Sequence, residues 1–109
     1  MEQQDPDLLT HMRCIRADGV ATKERGHRLW GALYSGSPHV VFGHNALQGI
    51  QIHPSATGID SACVYGGELT ALVLADGERP PPASERRAAL VSVPAHRRYY
   101  DPHADYKNL

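Results

Sequence analysis

The sequence predicts an α+β fold in one domain spanning residues 1–109, with a short N-terminal helix and a mainly antiparallel sheet of five short strands. Three observations carry this expectation. A capped amphipathic stretch stands near the N-terminus. Four runs rich in Val, Ile, Leu or aromatic residues fill positions 39–75, most of them bounded by glycine or proline. One more such run, AALVSVPA, follows a proline-rich break. A chain of 109 residues should bury about two thirds of the surface its unfolded form exposes, enough for one modest core.

The helix is expected over residues 6–15. In DPDLLTHMRCI, Asp5 is suited to the N-cap and Pro6 to the first helical position, while Leu8, Leu9, Met12 and Ile15 recur at helical spacing. Residues 16–37 mix charges with glycines around one aromatic pair, Trp30 and Tyr34, spaced to share a helical face, so a long loop with a helical turn or two is expected. The strand runs are HVVFG, GIQIH, GIDSACVYGG and ELTALVLA. Residues 76–88, including DGERPPPASERR, read as a proline-rich surface loop, AALVSVPA as the last strand, and 96–109 as a surface tail.

In LTALVL both faces are largely apolar: Leu69, Ala71 and Val73 on one, Thr70, Leu72 and Leu74 on the other. One short helix does not cover two faces of such a sheet. The expectation is an exposed apolar sheet surface that a further segment or a partner chain buries.

Charge and cysteine content narrow the function. Eleven basic against twelve acidic residues give a net charge of −1, so no overall basic field points to nucleic acid or an anionic membrane. No apolar run is long enough to span a bilayer and no leader pattern opens the chain, which places it in the cytoplasm as an expectation. Cys14 and Cys63 are far apart and fit neither a zinc knuckle nor a disulfide framework, so two buried, reduced thiols are expected.

His44, just past the VVF strand and after Gly43, is the first candidate site residue. Strand ends are where loops converge on ligands, and glycine allows close backbone approach. A lone Gly-His is more often a histidine satisfied by ordinary hydrogen bonds.

Taken in order, Trp30 with Tyr34 and Gly36, the VVFGH strand, Gly49, Gly58-Ile59-Asp60, Cys63-Val64-Tyr65-Gly66-Gly67 and LTALVL strongly resemble the C-terminal half of calcineurin-like metallophosphoesterases, in the ApaH-like branch related to symmetrical diadenosine tetraphosphatases. The best match covers residues 5–75. QQDPDLLTHMR resembles the helix before that family's phosphate-contacting arginine, and LVSVPAHRRY its closing strand. The resemblance implies half of a two-sheet sandwich. It implies His44 as a ligand of the second ion of a divalent metal pair (manganese, zinc or iron), which polarises a phosphoryl group and supplies hydroxide as nucleophile. It also implies Arg13 as a clamp on a substrate phosphate and Asp60 as a carboxylate supporting the histidine loop. A solvated helix charge and an ordinary turn aspartate are the plain alternatives for Arg13 and Asp60. His39 and His53 match no ligand position and are expected to be structural or exposed.

The implied function is hydrolysis of phosphate esters or phosphoanhydrides, in phosphoproteins, dinucleoside polyphosphates or polyphosphate. Asn45 stands where the family has Asp or Thr. Ala62 stands where it has glycine, so a positive φ there would strain the turn by about 1 kcal/mol. The family motifs that supply most metal ligands and the general acid have no counterpart ahead of the matching region. The chain is therefore expected to be a C-terminal portion, without catalytic residues of its own, completed by a protein chain supplying the missing half. The alternative is a non-catalytic binding module that pairs its exposed sheet with another chain.

Overall fold

The computed structural model describes residues 5–101; the rest of the expected tail, 102–109, and the glutamines ahead of the helix lie outside the described residues. Asp5 caps α1 (Pro6–His11), its Oδ1 accepting the Asp7 N–H at 3.0 Å, with Pro6 in the first turn where an N–H would go unpaired. The helix stops at His11, four residues short of Ile15. Met12 already has extended backbone, and the residues after it are drawn into β1 (Cys14–Ile15). That strand pairs antiparallel on both sides, with β2 (Ala21–Thr22) and β3 (Arg28–Leu29), and ladder bonds to two neighbours outweigh one more turn of helix. The stretch read as loop thus holds two strands besides the single turn α2 (Trp30–Leu33), beside which Trp30 and Tyr34 meet edge-on at 6.2 Å.

VVF forms β4 (Val40–Phe42). It runs parallel to β6 (Ala56–Gly58), whose other edge pairs antiparallel with β5 (Gln51–Ile52). Beyond Gly58 the run GIDSACVYGG is a turn, because Ala62 and Gly66 take φ of 64° and 92° and close Cys63–Tyr65 into a 3₁₀ turn. The last pair, β7 (Glu68–Leu72) and β8 (Leu90–Pro94), is an antiparallel hairpin. In place of one five-stranded sheet, the described residues form three small ones, with one pairing parallel. The breaks fall where glycines and positive φ interrupt pairing.

The core is smaller than length alone suggests. Among the described residues only Cys14 and Ala56 are buried apolar side chains, and Cys63 is half-exposed. Polar groups fill the rest: Thr57 is buried under His39, whose Nε2 lies 2.8 Å from its Oγ1, and His53 pairs with Gln51 at 2.9 Å. The proline-rich connection is not purely surface either. Arg86 is 1% exposed, and its guanidinium donates to the carbonyls of His53, Pro54, Ala56 and Pro81, closing the β5–β6 turn against the loop. The chain end 95–101 docks as well: Tyr99 and Tyr100 N–H groups both reach the Val64 carbonyl at 2.9 Å.

On the β7–β8 hairpin, Thr70 faces inward and its hydroxyl joins Ser61 and Ser92 at 2.6 and 2.7 Å. On the opposite face Leu69, Val73, Val91 and Val93 are each more than half exposed. This is the apolar sheet surface that the strand pattern implies. No helix among the described residues is long and apolar enough to cross a membrane.

Ala62 adopts the left-handed backbone that its place in the turn demands. Replacing it with glycine removes a Cβ penalty of about 1–2 kcal/mol and adds back about 0.4–1 kcal/mol of unfolded-chain entropy. Ala62→Gly should therefore raise the urea midpoint at unchanged slope, a net gain of up to about 1 kcal/mol; a lower midpoint would show that the turn is not strained at this residue.

Candidate functional site

The end of β4 is set by packing. Phe42 lies over Gly58, where a Cβ would come within 2.8 Å of its ring, and against Trp30 at a ring separation of 4.5 Å. The Phe42 carbonyl accepts the Ile59 N–H at 3.0 Å, and the chain then turns out through Gly43 into His44. His44 has φ of 79°, a region that non-glycine residues occupy at a cost of order 1–3 kcal/mol and that histidine tolerates better than most. Asp60 holds it there. Its Oδ2 accepts the His44 backbone N–H at 3.0 Å and its Oδ1 the Ala62 N–H at 3.1 Å, so one carboxylate fixes both positive-φ residues. Asp60 thus supports the histidine loop through the backbone and not through the imidazole.

The His44 ring meets a neighbour that sequence reasoning did not single out. His11, in the last turn of α1, stands edge-on to it at 5.2 Å between centroids. Burial lowers the His44 pKa below that of an ordinary histidine, and the charges of Arg13 and His11 lower it further. A backbone hydrogen bond at His11 and the Asp60 carboxylate oppose this in part. The balance favours the neutral imidazole, the form that a metal ligand or a hydrogen-bond acceptor takes.

Arg13 lies between α1 and β1, within electrostatic reach of His44. Its backbone is pinned by Thr22 and Trp30, its Nη1 donates to the Lys23 carbonyl at 2.8 Å, and its Nε is buried without a partner. Among the described residues Nη2 is the guanidinium nitrogen left for an outside acceptor. Leu9, Thr10, Met12, Trp30, Phe42, Gly43 and His44 surround a cleft of about 310 Å³, with aromatic walls and the histidine on its lining. His39 and His53 lie elsewhere, in the hydrogen bonds to Thr57 and Gln51.

The donor set is too small for a two-metal centre. No three His, Cys, Asp or Glu side chains among the described residues come together to hold an ion, and Asp60 is committed to backbone N–H groups. A pair of divalent ions requires several more carboxylate, imidazole or amide ligands.

Comparison with known proteins gives the lineage. No family model matches the sequence. A symmetrical bis(5'-nucleosyl)-tetraphosphatase of Janthinobacterium sp. (strain Marseille) is 34% identical over 82 residues, which is 64% of this chain and 30% of that protein. The same enzyme of Chromohalobacter salexigens is 42% identical over 85 residues, 66% of this chain and 31% of that protein. A crystal structure provisionally named as a diadenosine tetraphosphatase superposes with a TM-score of 0.65 at 37% identity, covering 85% of this chain and 40% of that one. The chain is similar to part of the symmetrical bis(5'-nucleosyl)-tetraphosphatases. The chain spans about a third of the length of the curated relatives it matches. Its mixed α+β architecture is that of the structural neighbour over the shared region.

Proposed function

We propose that this chain contributes the His44 loop of a metal-dependent phosphoesterase whose substrates are phosphoanhydrides of the dinucleoside polyphosphate kind, with polyphosphate and phosphoproteins as the wider class. The observation that carries the reading is His44 held at positive φ by Asp60, beside Arg13 and an aromatic-walled cleft. Backbone strain kept in place by a dedicated carboxylate is characteristic of positions where function fixes geometry. In this reading His44 is a metal ligand, Arg13 meets a phosphate through Nη2, and Asp60 is a positioning residue. Trp30 and Phe42 give a planar base an apolar wall to lie against. The names and identities of the relatives support the substrate class. The remaining metal ligands and the general acid would come from polypeptide outside these 109 residues, as a further segment or a separate chain.

The test is turnover of diadenosine tetraphosphate and of an aryl phosphate with added Mn²⁺. The 109-residue chain alone should give none. Co-expressed with the amino-terminal two thirds of a relative, it should give turnover that His44→Ala lowers at least a hundredfold. Hydrolysis by the isolated chain that is lost in His44→Ala would overturn the claim of incompleteness, and activity of the complemented form that ignores His44 would overturn the role.

The exposed face of Leu69, Val73, Val91 and Val93 favours a second reading, a non-catalytic module that binds another chain through its sheet. A well-folded monomer in sedimentation, with no uptake of an apolar dye, would count against it.

A further inference from the structure

We infer that His11 and His44 together form a binding site for a single divalent transition-metal ion. This rests on the reading of His44 as a ligand and goes beyond it, because His11 belongs to a different element and to no ligand motif in the sequence.

Geometry supports the pairing. With a metal–nitrogen bond of about 2.0–2.1 Å and about 1.1 Å from a ring nitrogen to its centroid, two imidazoles on one tetrahedral ion have centroids roughly 5 Å apart. The observed centroid separation of 5.2 Å matches that span; the rings meet edge-on with the planes at 77°, so one of them turns about its own side-chain bonds to bring its nitrogen to the ion.

The hydrogen bonding of His11 sets its tautomer. Its Nδ1 lies 2.9 Å from the Asp7 carbonyl, and a carbonyl only accepts, so Nδ1 carries the proton. The Thr10 hydroxyl at 2.9 Å and the Asp7 carboxylate at 3.4 Å face the same nitrogen. Nε2 is left with its lone pair. A metal-binding histidine ordinarily has this arrangement, with one nitrogen on the ion and the other donating to a carbonyl or carboxylate that orients the ring. His44 is oriented differently, through its backbone, by Asp60. The His11 ring and the His44 backbone are thus fixed by groups that are not themselves ligands, which lowers the entropy lost when an ion joins the pair.

Charges near the pair act in both directions. The Arg13 guanidinium opposes a cation, while the Asp7 and Asp60 carboxylates favour one, and Asp7 is shared with Lys23 at 2.7 Å. Two imidazoles with water completing the shell suit nickel, copper, cobalt or zinc, not magnesium or calcium, which take oxygen ligands.

The experiment is titration of the untagged full chain with NiCl₂, read by calorimetry and by the histidine ring signals in NMR. Nickel keeps the response on imidazole and away from the thiols Cys14 and Cys63. Because the chain holds seven histidines, the site-resolved signals matter: those of His11 and His44 should broaden together and first. His11→Gln and His44→Ala should each weaken the tightest binding step at least tenfold, while His27→Ala leaves it unchanged. His11 is 48% exposed, so His11→Gln is expected to fold, and an unchanged circular dichroism spectrum checks this. Weakening by His44→Ala alone would overturn the shared site and leave the His44 ligand reading standing. No weakening by either substitution would likewise overturn the shared site, while the role of His44 in a completed centre is decided separately by the complementation assay.

Discussion

Arg86→Met is expected to lower the melting temperature by on the order of 10–20 °C, the largest effect of any single substitution considered. The reason lies in what the guanidinium satisfies. It is buried and has no carboxylate partner among the described residues; its donors go instead to the carbonyls of His53, Pro54, Ala56 and Pro81. Methionine fills most of the volume but donates nothing. Of those acceptors, Ala56 keeps a bond from the His53 N–H, so three carbonyls lose the donor they have here. These three bonds are part-buried, so the low end of the range of about 1–3 kcal/mol for a group left unpaired applies, a total near 3 kcal/mol. That is a large part of the stability such a small domain commands. Arg86→Lys keeps the charge and reaches fewer acceptors, because a point-like ammonium does not span the fork, and should recover only part of the loss. Thermal unfolding followed by circular dichroism decides the matter. A shift under about 3 °C for Arg86→Met would mean that the carbonyls find water instead.

Asp60→Ala should cost about 2 kcal/mol and, more tellingly, should release His44. Each carboxylate oxygen accepts one backbone N–H, and hydrogen bonds to a charged acceptor contribute about 1.5–3 kcal/mol before allowance for exposure. One of the pair is solvent-exposed, so the lower end is appropriate. Without Asp60 the His44 N–H loses its partner, only the 3.0 Å bond from the Ala46 N–H to the His44 carbonyl is left in the loop, and the residue relaxes more readily from φ of 79° to an ordinary conformation. Asp60→Asn retains one acceptor oxygen and should fall between the two. A chemical-denaturation midpoint gives the stability, and the His44 ring signal in NMR gives the geometry. An unmoved His44 signal in Asp60→Ala would remove Asp60 from its positioning role.

The contrast between Arg86 and His44 shows what a sequence makes legible here. VVFGH is locally self-consistent: β-branched residues make the strand, glycine ends it, and the histidine is left at the tip. The start of α1 was equally plain, from Asp5 and Pro6. Its end was not, because the contest between another helical turn and a strand with partners at Thr22 and Leu29 is decided by residues far along the chain. Two-residue strands such as β2 and β3 carry no periodic signal at all. GIDSACVYGG has the composition of a strand and becomes a turn because Ala62 and Gly66 adopt positive φ, which composition does not encode for alanine. Arg86 sits in a charged, proline-rich stretch with every mark of a surface loop; three of its four acceptors are carbonyls some 30 positions earlier, and carbonyls have no residue identity to read. His11 was overlooked for a similar reason. Its meaning comes from a ring in another element.

The β7–β8 hairpin has a consequence for the order in which the chain assembles. Its strands are joined by residues 73–89, about eight times the length of a two-residue turn. At about 0.6 kcal/mol for each doubling, closing this loop costs roughly 2 kcal/mol more than a tight turn would. The ladder therefore does not zip from its own corner. Arg86 lies near the end of that connection and grips the β5–β6 turn, so once it is seated the span left to search before Leu90 meets Leu72 is much shorter. The same contact that satisfies a buried cation thereby makes the hairpin a late event, dependent on the middle of the chain having already formed.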